Sequence, residues 1–257
     1  MDILWVKVVA LLAIFSVGMT AGMVPTRSKL SEQGSRRLIL GNAFAGGVFL
    51  GAGLLHMLPD AQDNFSQLAL GVDYPIPILV AGLGFLLILL LEKAVLAGDE
   101  GVGNSDSSRG AYPFILCVIL SVHSIIAGVS LGLEGSLATA TAILIAILAH
   151  KGAASFALGV SLQQGGFAMR RHVMVIAFFS LMTPLGVILG TGFAAALSDQ
   201  SAIAFEALFD ALAAGTFLYV AAVDILEEVF EKTSDRWSKV LLIHVGFALM
   251  ALVAIWT

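Results

Sequence analysis

Apolar residues in this chain are gathered into blocks of about twenty, separated by short polar connections. A block of that length is what a helix needs to cross the hydrocarbon layer of a bilayer, which takes ~20 residues. The pattern predicts eight spanning helices, at 2–24, 38–58, 76–97, 113–133, 137–163, 173–197, 201–227 and 239–256. The longest connection, about 98–112 (GDEGVGNSDSSRGAY), is rich in Gly, Ser and Asp and reads as a flexible loop. No stretch remains for a separate soluble domain, so 1–257 is expected to form a single all-α transmembrane domain. The first block is followed by Pro25, Arg27 and Lys29 and is read as an uncleaved span rather than a signal peptide.

Composition agrees with this pattern, with 59% of residues hydrophobic and only 12% charged, and a mean hydropathy of +0.98. Soluble domains do not look like this. The basic residues give an orientation, because positively charged loops stay on the cytoplasmic side. Arg27, Lys29, Arg36, Arg37, Lys93, Arg109, Arg170, Arg171, Lys232, Arg236 and Lys239 all fall on one side. The alternate connections hold Asp60, Asp63, Asp73, Glu134 and Asp199 instead. Both termini are then expected outside, with an acidic outer face that concentrates cations. The net charge of −5 follows from this division and names no partner, and no nucleic-acid partner is expected. A multi-pass position in the cell membrane follows, the inner membrane if the source is bacterial. Two basic residues lie apart: Lys7, near enough to a span end to snorkel, and Lys151, in the middle of the fifth span. Cys117 is the single cysteine, so neither a disulfide framework nor a thiolate metal cluster is expected.

A weak repeat relates the two halves. Gly46–Asp60 aligned with Ala214–Glu228 superposes Gly47 on Gly215, Phe49 on Phe217, His56 on Asp224 and Asp60 on Glu228. The two helices run in opposite directions across the membrane, as in the inverted repeats of secondary transporters.

The polar residues inside the spans carry the chemistry. His123 and His150 each lie within a long apolar run, where an ionisable side chain is tolerated mainly when it faces a polar cavity or a partner. The fourth and fifth spans are joined by a tight turn at Glu134–Ser136, so the two histidines are expected to meet at similar depth and converge on one ion. Small residues nearby, Gly128, Ser130 and Gly132 on one helix and Gly152, Ala153, Ala154 and Ser155 on the other, allow close helix approach. His56, Asp60 and Asp63, at i, i+4 and i+7, share a face at the outer end of the second span, and imidazole with carboxylate suits a divalent transition metal such as Zn²⁺. Asp224, Glu227 and Glu228 are placed likewise at the inner end of the seventh span. His172 and His244 are read as structural or solvated.

At these residues the chain resembles the ZIP family of divalent metal transporters, over essentially its whole length. The carrying motifs are FAGGVFLGAGLLHMLPDA at 44–61, HSIIAGVSLGLEG at 123–135, HKGAASFALGVSL at 150–162, FSLMTPLG at 179–186 and AGTFLYVAAVDILEE at 214–228. The likeness is greatest to the branch with His-Ser-x-x-Glu-Gly in the fourth span and His-Lys in the fifth. The resemblance implies uptake of Zn²⁺ or similar ions into the cytoplasm, by a moving bundle in elevator-like alternating access, with the site between the fourth and fifth spans. It implies that His123 and His150 ligate the ion, that Ser124 and Lys151 stand where other branches help bind a second ion, and that His56, Asp60 and Asp63 lie near the outer entrance. Lys151 then makes a single-ion site the expected arrangement. Asp224, Glu227 and Glu228 mark the inner exit.

One departure stands out. Where that branch has a glutamate four residues after the fourth-span histidine, this chain has Ala127, and Ala154 adds no acid on the fifth span. Zinc sites generally have ~4 ligands, so water, Ser130 or a distant carboxylate must complete the shell; Glu206 and Asp210 are the candidates, with Asp63 if the entrance is deep. The histidine-rich cytoplasmic loop of relatives is absent. No cofactor is expected beyond the transported metal, and small-residue faces suit a homodimer. Two rival readings remain at this point: a transport-inactive sensor or interaction protein, because of Ala127, and a membrane metalloenzyme, for which no HExxH or GxSxG arrangement is found.

Overall fold

The computed structural model describes residues 3–27, 32–68, 71, 73–96, 105–193, 199–231 and 234–256. The chain is helical in long segments: α1 (Ile3–Met23), α2 (Glu32–Ala52), α3 (Leu58–Gln67), α4 (Ile76–Leu90), α5 (Ser105–Leu133), α6 (Leu137–Gln164), α7 (Met169–Phe193), α8 (Asp199–Tyr219), α9 (Leu226–Glu231) and α10 (Arg236–Val253). Counted as continuous rods, eight helices among the described residues are long and apolar enough to cross a membrane.

Two rods are longer than the apolar pattern suggests. α2 runs through a π-helical turn at Gly53–Met57 into α3, so the second span continues to Gln67 rather than ending near residue 58. α8 does the same through Val220–Ile225 into α9. Pro59 accounts for the first widening: its ring crowds the carbonyl four residues back and it donates no N–H, and a widened turn just before it relieves both. The acids beyond residue 58 hid this continuation, because they end the apolar run without ending the helix. The stretch expected as a loop at 98–112 differs as well. Residues 97–104 lie outside the described set, but α5 is already helical from Ser105, since Ser- and Asp-rich sequence suits the start of a helix as well as a loop.

The helices sort into two bodies. α1, α5, α6 and α7 pack mainly on one another, and α2, α3, α4, α8, α9 and α10 do likewise, with α2 against α6 the principal seam between them. Backbone contact at glycines sets the second body. A methyl on Gly47 would lie 2.0 Å from the carbonyl oxygen of Ile243 in α10, and one on Gly246 would lie 2.2 Å from that of Phe44. The α8–α4 pair repeats the arrangement, with Gly215 against the carbonyl of Ala81 and Gly84 against that of Leu212. Gly47 and Gly215 are equivalent positions in the internal alignment, Phe44 and Leu212 match when it is extended two residues back, and the two π-turns overlap on it. The repeat therefore extends from sequence into helix packing.

The first body is as tight. Gly128 and Gly132 of α5 meet the backbone of α7 at Thr183 and Val187. Lys7 does not snorkel as expected. It is buried and donates to the carbonyl of Gly132 at 2.6 Å, because the C-terminal turn of α5 leaves carbonyls unpaired that a cation at a helix C-terminus satisfies. His172 is buried, with Nε2 3.0 Å from the carbonyl of Gly22. His244 is exposed and lies 2.7 Å from the carbonyl of Val240.

Candidate metal site

Ser136 starts α6 in an extended conformation and accepts from the backbone N–H of Thr139, while Glu134 accepts from the N–H of Ser136 at 2.6 Å. This two-bond turn sends α6 back along α5. His123 and His150 thereby meet with ring centres 5.5 Å apart, at 6% and 4% exposure. The π-turn brings His56 to the same place, 6.2 Å from His150 between ring centres. Two imidazoles sharing a tetrahedral ion through bonds of ~2.0–2.1 Å hold their ring centres about 5 Å apart, so these spacings are close to what one shared ion requires. Both ring nitrogens of His123 lack a hydrogen-bond partner, and Nδ1 of His150 has no well-directed one. Buried imidazole nitrogens without partners are costly unless something fills the space they face.

That space is a cavity of about 540 Å³ between the bodies, lined by His56, Asp60, Asp63, His123, Ala127, Ser130, Glu134, His150, Glu206 and Asp210 among others. Every expected ligand and entrance residue reaches it. His56, expected near the outer entrance, lines the same cavity beside His150, with Asp60 and Asp63 following it on the continuing helix. Nδ1 of His56 lies 2.9 Å from an Asp60 carboxylate oxygen, although the pair is not aligned as a hydrogen bond. Ala127 lines the wall a turn from His123 and offers no ligand there, while Glu134 brings an acid to the same side from the turn after α5. Asp60, Glu206 and Asp210 bring their carboxylates to the cavity from α3 and α8. Among the described residues, no three His, Cys, Asp or Glu side chains are already gathered at metal-ligating distance.

Lys151 is turned away from the cavity. Its ammonium donates at 3.0 Å to both Ser124 Oγ and the carbonyl of Phe179, and stands 3.6 Å over the Phe179 ring. The lysine and the serine occupy each other, and the cavity does not reach between them.

Behind the imidazoles the route closes. The ring of Phe217 contacts those of His123 (4.7 Å) and Phe49 (4.7 Å), and both phenylalanines are buried. Toward the basic end, two bonds join the bodies: Tyr112 Oη donates to Asp224 at 2.7 Å, and Gln164 Nε2 to Glu228. Asn42 also bonds Glu228 at 3.3 Å, and Tyr219 bonds Glu92 at 2.6 Å. The acids expected at the inner end are thus partly engaged: Asp224 and Glu228 are held, and Glu227 is exposed. A second cavity of about 480 Å³, lined by Tyr112, Gln164, Glu228 and Glu231 among others, lies on this side and shares no residue with the first. Phe217, Tyr112 and Glu92 were missed by the sequence reading, and Glu134 was placed on the acidic outer face without being joined to the site. The polar pair Glu92–Lys93 at the close of an apolar block was the available signal for Glu92; an aromatic within an apolar block gives none.

A family model described as ZIP Zinc transporter matches residues 4–111 and 99–254. Similar curated proteins include zinc transporter ZIP2 of Mus musculus, 30% identical in an alignment covering 99% of both chains. Zinc transporter ZIP1 of Danio rerio is 30% identical over 97% of both. Zinc transporter ZIP1 of Homo sapiens is 30% identical over 95% of this chain and 89% of its own. The chain belongs to the ZIP zinc transporter family.

Proposed function

We propose that this member of the ZIP family is a cell-membrane transporter of divalent transition metal ions, Zn²⁺ first among them, which it moves into the cytoplasm by alternating access. The observation that carries the reading is the cavity whose deep end holds three imidazoles and whose walls hold carboxylates, ending at Phe217 short of a second, separate cavity. One open end and one closed end is the arrangement of a carrier caught facing one way, and the acidic mouth is assigned to the outside. His123 and His150 are the ligands on the first body, His56 adds a third imidazole from the second, and Glu206 or Asp210 supplies charge in place of the acid absent at Ala127. Neutral imidazoles suit a borderline-soft ion, and a carboxylate completes a shell of ~4. With Lys151 and Ser124 paired to each other, one ion is carried at a time. The ion moves as the body holding His123 and His150 slides against the other and the bonds at Asp224 and Glu228 part.

Neither sensing nor catalysis is needed to account for this geometry, and a homodimer built on small-residue helix faces is compatible with it. The test is flux: the full chain in liposomes, loaded with a zinc-responsive dye, should give saturable Zn²⁺ uptake over protein-free vesicles. Binding without flux would replace the transporter with a sensor.

A further inference from the structure

On the bilayer side of His123 lies a smaller crevice of about 190 Å³ between α4, α5 and α8, its walls formed by Leu87, Val118, Val122, Leu212 and Thr216 among others. His123 lines it as well as the large cavity, so this ring stands between that cavity and the membrane-facing surface. The crevice carries no charged residue. Its other polar side chain, Thr216, is already satisfied by the carbonyl of Ala213 at 2.8 Å. Water does not suit it, since an ordered water needs 2–4 polar partners. Left empty, its lining atoms would lose the dispersion contacts that close packing supplies. Its rim is continuous with lipid-facing surface: Leu87, Val118 and Val122 are exposed, and so are Leu86 and Leu90 beside them. It also lies along the joint between the two bodies, since α5 belongs to one and α4 and α8 to the other.

We propose that this crevice is a binding site for the hydrocarbon tail of a bilayer phospholipid. The tail fills the joint beside His123, seals the metal route from the membrane and is displaced whenever the bodies slide. The sealing and the displacement rest on the transport reading, but occupancy of the crevice by a tail concerns the resting protein, so its failure would leave that reading standing.

The test uses the full chain reconstituted in phosphatidylcholine vesicles containing a phosphatidylcholine with a photoactivatable diazirine near the end of one acyl chain. After irradiation, adducts are mapped by mass spectrometry. Adducts are expected on 87–91, 118–126 and 209–216, including buried Ile126 and Ala213, which a tail reaches only by entering. Val122→Trp and Leu212→Trp should each cut labelling of those buried residues several-fold. Adducts on the exposed face of α10 at Leu241, Val245 and Leu252 should stay unchanged, reporting that the variant is folded and in lipid. Adducts confined to exposed residues in the unsubstituted protein would overturn the proposal without recourse to any variant. Cross-links between two copies of the chain at the crevice would overturn it too, by assigning the groove to a protein contact.

Discussion

Where α5 and α6 face the large cavity they present mainly imidazoles and small side chains, His123, Ala127, Ser130 and His150, with Glu134 in the turn between them; where α3 and α8 face it they present four carboxylates, Asp60, Asp63, Glu206 and Asp210. His56 is an imidazole on the carboxylate side. The two bodies thus divide the tasks of a cation site. Carboxylates act at a distance, raising the concentration of cations at the mouth. Imidazoles act only in contact, and being neutral they leave the charge of an ion uncompensated, so the countercharge has to come from carboxylates. Lys151, buried in the body of α1, α5, α6 and α7, is held by two oxygens and an aromatic face instead of being left to find a partner. In the proposed mechanism the absence of an acid at Ala127 leaves anionic ligation to the body that carries Asp60, Glu206 and Asp210.

If that division is right, substitutions should rank by body. His123→Ala and His150→Ala should each lower saturable Zn²⁺ uptake by at least about 100-fold, the upper end of the range seen for lesser, outer-shell losses, with the protein still folded. His56→Ala should cost about tenfold, because carboxylates on its own body can compensate. Equal loss at all three histidines, measured as initial rates in liposomes, would show that the ion is shared evenly and that the bodies are not specialised.

The repeat gives a second ranking, now of stability. Gly47→Ala and Gly215→Ala occupy equivalent joints, and each should destabilise by about 1–3 kcal/mol as a backbone contact is forced apart. Gly152→Ala, whose added methyl meets only a Val17 side-chain carbon at 3.4 Å, should be nearly neutral. Thermal unfolding of the three variants in one detergent checks this, and a mild Gly215 variant beside a severe Gly47 one would break the equivalence.

The sequence made the eight spans and the meeting of His123 with His150 legible, because both depend on block length and a short turn. It also held the repeat, although only the packing of Gly47 and Gly215 distinguishes it from chance likeness between apolar helices. Hidden from it were the features that depend on helix phase. A π-turn adds a residue to one turn, and nothing in the i, i+4, i+7 spacing of His56, Asp60 and Asp63 announces that His56 lies within one or that its ring stands beside His150. Lys151 was hidden for a related reason: adjacent residues on a helix point about 100° apart, and nothing in the order His-Lys says that the first faces the ion and the second faces α7.

Ala127→Glu sharpens the comparison by placing an acid on the imidazole side. The new carboxylate would stand in the cavity one turn from His123. Zn²⁺ affinity should rise by about tenfold, the value of a charge-assisted contact of ~1.4 kcal/mol, while maximal uptake falls as release slows. Unchanged affinity in a folded variant would mean that the ion does not sit at His123. Tyr112→Phe acts at the closed end. It removes one bond between the bodies, worth about 1 kcal/mol, and should shift the balance toward the inward-facing state by about fivefold, read as faster labelling of a cysteine introduced at Ser161.

The smallest effect is expected at Asp63, and it tests the long-range half of the comparison by itself. Asp63 is exposed at the mouth, and in the reading above it attracts the ion without ligating it. A unit charge at ~10 Å in water contributes about 0.4 kcal/mol for each charge on the ion, so Asp63→Asn should raise the half-saturating Zn²⁺ concentration by only about two- to fourfold, with maximal uptake unchanged. The effect should also disappear with salt, because the Debye length shrinks from ~10 Å at 0.1 M to ~3 Å at 1 M. A ligand behaves differently, since a contact of ~2 Å lies inside any screening length. Uptake titrations at low and high salt for the parent, Asp63→Asn and His56→Ala separate the two cases. Convergence of Asp63→Asn on the parent at high salt, with His56→Ala still displaced, would place Asp63 as a collector and His56 at the ion. A salt-independent loss at Asp63 would make it a ligand and move the ion toward the mouth, away from the two buried histidines.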